Sequence, residues 1–188
     1  MINMVRNIKD PNMAINIFKI AQKYKKRNKP IPEKVFTDWR YFIAFGLGSG
    51  AIPFAPGTFG TLMAIPFYLL LQPLPIYIYL TIVILFCIAS AILSDQLSKE
   101  IDIHDHPGMC IDEFAGFFVT MIAAPSGFCW VLLGFVLFRL FDIWKPWPIS
   151  LADEKIHGGF GMIFDDVLAG ACSLFIIQIV YRCSLVIT

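Results

Sequence analysis

The twenty residues Leu74–Leu93, LPIYIYLTIVILFCIASAIL, carry no charge, and the uncharged run around them extends from Tyr41 to Ser94. A helix of that length rises about 30 Å, which matches the hydrocarbon thickness of a bilayer. The stretch predicts a membrane-spanning helix. The composition agrees: of 188 residues, 57% are hydrophobic and 15% charged, with a mean hydropathy of +0.70, whereas a soluble domain carries about 25% charged residues. One chain of this size cannot enclose so much apolar surface in a single core, so the surplus must face lipid. A soluble domain is excluded.

Working outward, Thr58–Leu71 is a shorter apolar segment with Pro66 inside it, joined to the first stretch by the tight connection Gln72-Pro73-Leu74-Pro75. A second uncharged run, Phe114–Phe138, is broken by Pro125-Ser126-Gly127 and reads as a helical hairpin. The last run, Val167–Tyr181, continues past Arg182, which can snorkel to an interface. The pattern predicts an all-α, polytopic helical membrane protein with about four to five apolar helices and polar loops on the cytoplasmic side.

Charge is segregated along the chain. Residues 1–40 hold ten basic residues against three acids, a balance of +7, while the rest sums to −6. This divides the chain into a basic N-terminal cytoplasmic arm, 1–40, and a membrane-embedded domain, 41–188. The arm marks the cytoplasmic side, and it either rests on anionic headgroups or is a solvated tail. It is too polar for a secretory signal, and beside a membrane domain it does not argue for nucleic acid. From a cytoplasmic N-terminus the crossings put the loops at 95–113 and 139–166 on that same face. Eleven of the fourteen acids and all three histidines lie in those loops or at their borders. The five cysteines are scattered, with no C-x-x-C pair and no C-x5-R loop, and read as small apolar filler.

Four polar segments carry the chemistry. Gly46 to Thr61 holds five glycines before Thr61 and two prolines; it reads either as a phosphate cradle using backbone N–H groups with Ser49, Thr58 and Thr61, or as a close-packed turn. No lysine follows in P-loop fashion. Asp102-Ile103-His104-Asp105-His106 leads to Asp112-Glu113 at the mouth of an apolar helix. These paired acids either exploit the helix dipole or hold a divalent cation. Without a zinc spacing, His104 and His106 read as surface residues. Arg139 and Asp142, three apart, share one helix face; Arg139 and Lys145 can grip a phosphate, and Trp144 and Trp147 suit the headgroup belt. His157-Gly158-Gly159 precedes Asp165-Asp166, read as opening the last apolar helix and repeating the logic of Asp112-Glu113. Several carboxylates, two cations and a glycine-rich segment converging on one face describe an anionic substrate bound through a metal, and magnesium-assisted phosphoryl chemistry fits.

On these residues the chain resembles the phosphatidylglycerophosphatase A family of bacterial membrane enzymes over about residues 41 to 181. The resemblance rests on Gly48-Ser49-Gly50 with Pro56-Gly57-Thr58, His104-Asp105-His106 with Asp112-Glu113, the run Arg139 to Pro148, and His157-Gly158-Gly159 with Asp165-Asp166. It implies Mg2+-dependent hydrolysis of phosphatidylglycerophosphate to phosphatidylglycerol and phosphate, a step toward phosphatidylglycerol and cardiolipin at the inner membrane. The arm is longer than the resemblance leads one to expect, and residues 1–40 inherit nothing from it. Other phosphatase designs lack their residues here: Phe128 stands where a Pro-Ser-Gly-His enzyme needs histidine, and no Asp-x-Asp pair is present.

Direct attack by a metal-activated water is therefore the expected mechanism. Asp112, Glu113, Asp142, Asp165 and Asp166 form the pool of metal ligands. Asp105, Asp112, Glu113, Asp142 and Asp166 are the candidates for catalysis, with the general base open among them, and Ser49, Thr58, Arg139, Lys145 and His157 are the candidates for holding the substrate phosphate. The expected partners are the lipid substrate and membrane lipids, with no nucleic acid and no obligate protein partner. A small transporter and a non-catalytic membrane scaffold are the rival readings, and the spans lack the polar path a transporter needs.

Overall fold

A computed structural model of the chain describes residues 30–103, 106–151, 156 and 159–187. The N-terminal arm up to residue 29 and the candidates Asp105 and His157 lie outside the described residues. The described chain is helical, with no strand: α1 Trp39–Ala44, α2 Pro56–Leu71, α3 Ile76–Glu100, α4 Ile111–Thr120, α5 Phe128–Trp144 and α6 Gly159–Ile187. Single 3-10 turns at Glu33–Phe36 and Ser49–Ala51 flank α1 and precede α2.

Two of these helices, α3 and α6, are long and apolar enough to cross a membrane. α2 and α5, with 16 and 17 residues, rise about 24–26 Å. α4 has ten residues and rises about 15 Å, half a crossing. The hairpin expected from Pro125-Ser126-Gly127 is present, but its first arm is this short helix. α4 is enclosed instead of lipid-facing: Ile111, Phe114, Ala115, Gly116, Phe117, Phe118 and Thr120 are buried on nearly every side. A helix apolar all round belongs in the middle of a bundle.

Successive helices from α2 to α6 alternate in direction, so the starts of α2, α4 and α6 meet the ends of α3 and α5 at one end of the bundle. Contacts at both ends fix this arrangement. Tyr79 at the start of α3 donates to Phe118 O near the end of α4 at 2.7 Å, and Gly159 N at the start of α6 donates to Asp95 near the end of α3 at 3.3 Å. The most extensive helix contact is α4 on α6. It depends on Gly116 and Gly170: a Cβ on Gly170 would run into Gly116 O, and one on Gly116 would meet Asp166 O at 2.7 Å.

The core around α4 is aromatic. Tyr68 meets Phe117 and Tyr79 edge-on, with centroids 6.0 and 6.4 Å apart, geometry that adds to the area such rings bury. Outward, α2, α3, α5 and α6 present large apolar side chains such as Leu70, Leu85, Leu132 and Phe175, the face lipid would cover.

Candidate active site

The site end is assembled from helix termini. Asp112 and Glu113 are the second and third residues of α4, where an N-terminus favours negative charge. Asp165 and Asp166 do not open the last helix as the sequence suggested. α6 begins at Gly159, so both lie about 10 Å past its start, beyond the reach of the helix-dipole effect. Gly159 and Gly161 are helical, not loop, and each sits so close to backbone that a Cβ there would collide with Ala91 O or Ile156 O.

Asp112, Glu113 and Asp166 each bring a carboxylate oxygen within 4.8 Å of the other two. Asp166 is 4% exposed. Along one side runs Arg139, which ion-pairs with Asp142 at 2.6 Å and approaches Glu113 at 3.8 Å. Lys145, the C-terminal cap of α5, pairs with Asp165 across to α6. Asp165 is thereby drawn toward the cation, while the other three acids group together. The structure thus brings Asp112, Glu113, Asp142, Asp165, Asp166, Arg139 and Lys145 into one region. Among the described residues this region holds five carboxylates and two cations. Like charges so close in a partly buried site repel unless a cation joins them. Glu113 Oε2 is buried with no hydrogen-bond partner, and so is Arg139 Nε. A free acceptor beside two further carboxylates suits a hard, oxygen-bound cation such as Mg2+. A free guanidinium donor suits a phosphoryl oxygen.

α2 supplies a wall from Gly57 and Thr61, residues of the glycine-rich segment, whose contacts with Glu113 and Arg139 the sequence did not show. A Cβ on Gly57 would strike Glu113 Oε1 and lie 3.1 Å from Arg139 Nη2. One turn on, the fully buried Thr61 donates to Gly57 O at 2.9 Å and accepts from Arg139 Nη1 at 3.5 Å. Thr61 and Arg139 are 78 residues apart, so only their shared character as uncommon polar groups in apolar runs could have linked them. Thr58 lies in the same first turn of α2.

The segment from Gly46 to Ile52 resolves as a close-packed turn. Every backbone N–H from Gly46 to Ile52 donates to a carbonyl within residues 42–49, and Ser49 Oγ donates to Gly46 O at 2.7 Å. The small residues permit close approach: a Cβ on Gly50 would collide with Gly108 O, and one on Gly60 would lie 2.6 Å from Cys110 Cβ. His106, expected at the surface, is 1% exposed; its Nδ1 accepts from Gly108 N at 3.1 Å and its ring lies 5.2 Å from that of Phe45. Cys110 is buried, and burial first, then Glu113 and Asp112, push its thiol well above its usual range, which disfavours the thiolate.

Comparison with known proteins follows the same residues. The family profile described as phosphatidylglycerophosphatase A matches residues 42–181. The Escherichia coli phosphatidylglycerophosphatase A is 41% identical over 148 residues, covering 78% of this chain and 86% of the relative. The Haemophilus influenzae protein of the same name is 38% identical over 152 residues, 80% of this chain and 93% of its own. A Bacteroides thetaiotaomicron protein named putative phosphatidylinositol-3-phosphatase is 37% identical over 146 residues, covering 73% and 90%. No solved structure matches the chain.

Proposed function

Because the chain belongs to the phosphatidylglycerophosphatase A family, we propose that it hydrolyses the terminal phosphomonoester of phosphatidylglycerophosphate to phosphatidylglycerol and inorganic phosphate, in phospholipid biosynthesis. The observation that carries this reading is the grouping of Asp112, Glu113 and Asp166 beside Arg139. Magnesium is the proposed cofactor, held by those three carboxylates, and when bound it supplies charge neutralisation at the phosphoryl group and activation of water.

The chain's own groups do the rest. Arg139 presents its unpartnered Nε–H to a phosphoryl oxygen, while Asp142 and Thr61 fix the plane of its guanidinium. Lys145 adds a second positive charge at the rim. A carboxylate of the cluster takes the proton of the attacking water as the new P–O bond forms, and the ester P–O bond breaks to release the lipid alcohol, which takes up a proton. Thr58, Asp105 and His157 remain proposed contributors to phosphate binding or proton transfer, whereas the Ser49 hydroxyl is spent on Gly46 O.

α3 and α6 cross the membrane in this reading, with the site end at the cytoplasmic face of a bacterial inner membrane, an orientation that the basic charge of residues 1–40 supports. The headgroup then reaches the carboxylates while the acyl chains stay in lipid. Phosphate release by the purified protein, measured with Mg2+ and with chelator, tests the whole. The expected result is Mg2+-dependent release that favours phosphatidylglycerophosphate over phosphatidic acid and phosphatidylinositol 3-phosphate. Release from phosphatidylinositol 3-phosphate in preference would assign the chain the activity in the Bacteroides relative's name, and undiminished release in chelator would remove the metal from the mechanism.

A further inference from the structure

We propose that Glu33–Leu47 lies in the headgroup layer as an interfacial collar, with Phe36, Trp39, Phe42 and Ile43 inserted among lipids of an anionic membrane surface. The segment has two apolar faces. One is used by the protein: Val35, Tyr41, Ala44 and Phe45 are buried against Leu97, Met109 and Met162. The other is not: Phe36 and Trp39 are 70% and 69% exposed, and Phe42 and Ile43 are exposed beside them. Rings of this size side by side, with nothing over them, belong to a surface that meets another apolar medium.

Charges line the edge between the two faces. Lys34 bonds Glu100 at 2.7 Å, and Arg40 bonds Asp38 at 2.7 Å and Glu100 at 3.4 Å, which pins the segment to the end of α3. The open face continues onto the turn before α2, where the rings of Phe36 and Phe42 would both lie 3.4 Å from a Cβ on Gly48. Phe54, Trp144 and Trp147, also exposed, belong to the same end of the bundle. Aromatic rings gathered at one end of membrane-crossing helices form an interfacial belt.

Charge selects lipid over a second copy of the chain as the occupant. Residues 11–32, immediately ahead of the collar, carry six basic residues and no acid. A basic sequence joined directly to the collar favours anionic headgroups over a second copy that carries the same charge. An amphipathic segment of this kind rests about 5–10 Å into the boundary between headgroups and acyl chains. The collar would hold the site end at a fixed height against the headgroups that carry the substrate phosphate.

The proposal rests on the reading that α3 and α6 cross a bilayer, and the test separates the two. In protein with Trp130, Trp144 and Trp147 replaced by Phe, reconstituted in vesicles containing phosphatidylglycerol, Trp39 emission is measured with lipids brominated near the carbonyl, with lipids brominated near the chain end, and with aqueous iodide. A control in which all four tryptophans are Phe and Phe175→Trp is introduced reports the exposed face of α6. Trp39 is expected to lose emission to the shallow bromines more than to the deep ones or to iodide, while the control responds most to the deep bromines. A quenched control with Trp39 quenched by iodide alone, or protected from every quencher, overturns the collar and leaves the spans standing; an unquenched control overturns the spans themselves. Should the multiple replacements lose the fold, Trp39→Phe in the otherwise intact protein must reduce the shallow-quenched component of the emission, to which Trp144 and Trp147 also contribute, and an unchanged profile overturns the proposal.

Discussion

The two ends of the helix bundle solve the same problem in opposite ways. At the end away from the site, α4 stops short inside the bundle and its last carbonyls need donors. Tyr79 of α3 donates to Phe118 O at 2.7 Å, and Gln178 of α6 donates to Ile122 O and Ala123 O at 3.3 and 3.0 Å. Two neutral side chains close that end. At the site end, five carboxylates are gathered around two cations, and Glu113 Oε2 is buried without a donor. The first arrangement stabilises a fold. The second strains it, and its charge excess makes sense as the receptor for a cation and a phosphate.

That contrast can be broken from either side, and the largest effect belongs to the acids. Asp166→Asn should reduce turnover roughly 10³-fold or more, yet in chelator the same variant should melt a few degrees higher, because one uncompensated charge is gone; about 1 kcal/mol is worth 2–4 °C at this size. Activity with Mg2+ and melting in detergent measure both, and an unchanged melting point would remove the strain from the picture. Gly57→Ala comes next. Its methyl group must displace Glu113 or Arg139, and a shift of that kind costs on the order of 10²-fold in kcat, with folding retained. Gln178→Leu at the opposite end should lower stability by about 0.5–1.5 kcal/mol while kcat stays at its original value; loss of activity there would show that the ends are coupled.

The smallest effect is expected at the collar, in acid. Hydrogen bonds from Arg40 hold the Asp38 carboxyl below its usual range. A group depressed in the folded state stabilises it above its unfolded pKa, about 3.9, and that contribution fades as pH falls through the lower folded value. Melting measured across pH should show the contribution of this pair constant between pH 5 and 8 and lost only in acid, and Asp38→Asn should flatten only the acid limb.

Much of this was legible because charge is rare in apolar sequence. Asp112, Glu113, Arg139, Asp142 and Asp166 stood out in uncharged surroundings, and the structure groups them. Glycine was harder to read. In Gly159-Phe160-Gly161 it signals close helix packing against Ala91 O and Ile156 O, not a loop, so the start of α6 was placed too late. In Gly46 to Ile52 the backbone N–H groups are spent on the turn itself, and only one of the two readings left open for that segment survives there. The part played by Gly57 and Thr61 depends on where α2 meets α4 and α5, a relation that no local pattern encodes.

The brevity of α4 has a consequence for how the enzyme is made. Two of the three grouped carboxylates ride on a ten-residue helix that cannot cross a bilayer unaided and owes its place to glycine contacts with α6. α6 follows α4 and α5 in the chain and leaves the ribosome after them. The three carboxylates therefore cannot group until α6 is inserted and the hairpin docks against it, and a chain cut short before α6 keeps Asp112 and Glu113 but lacks Asp166.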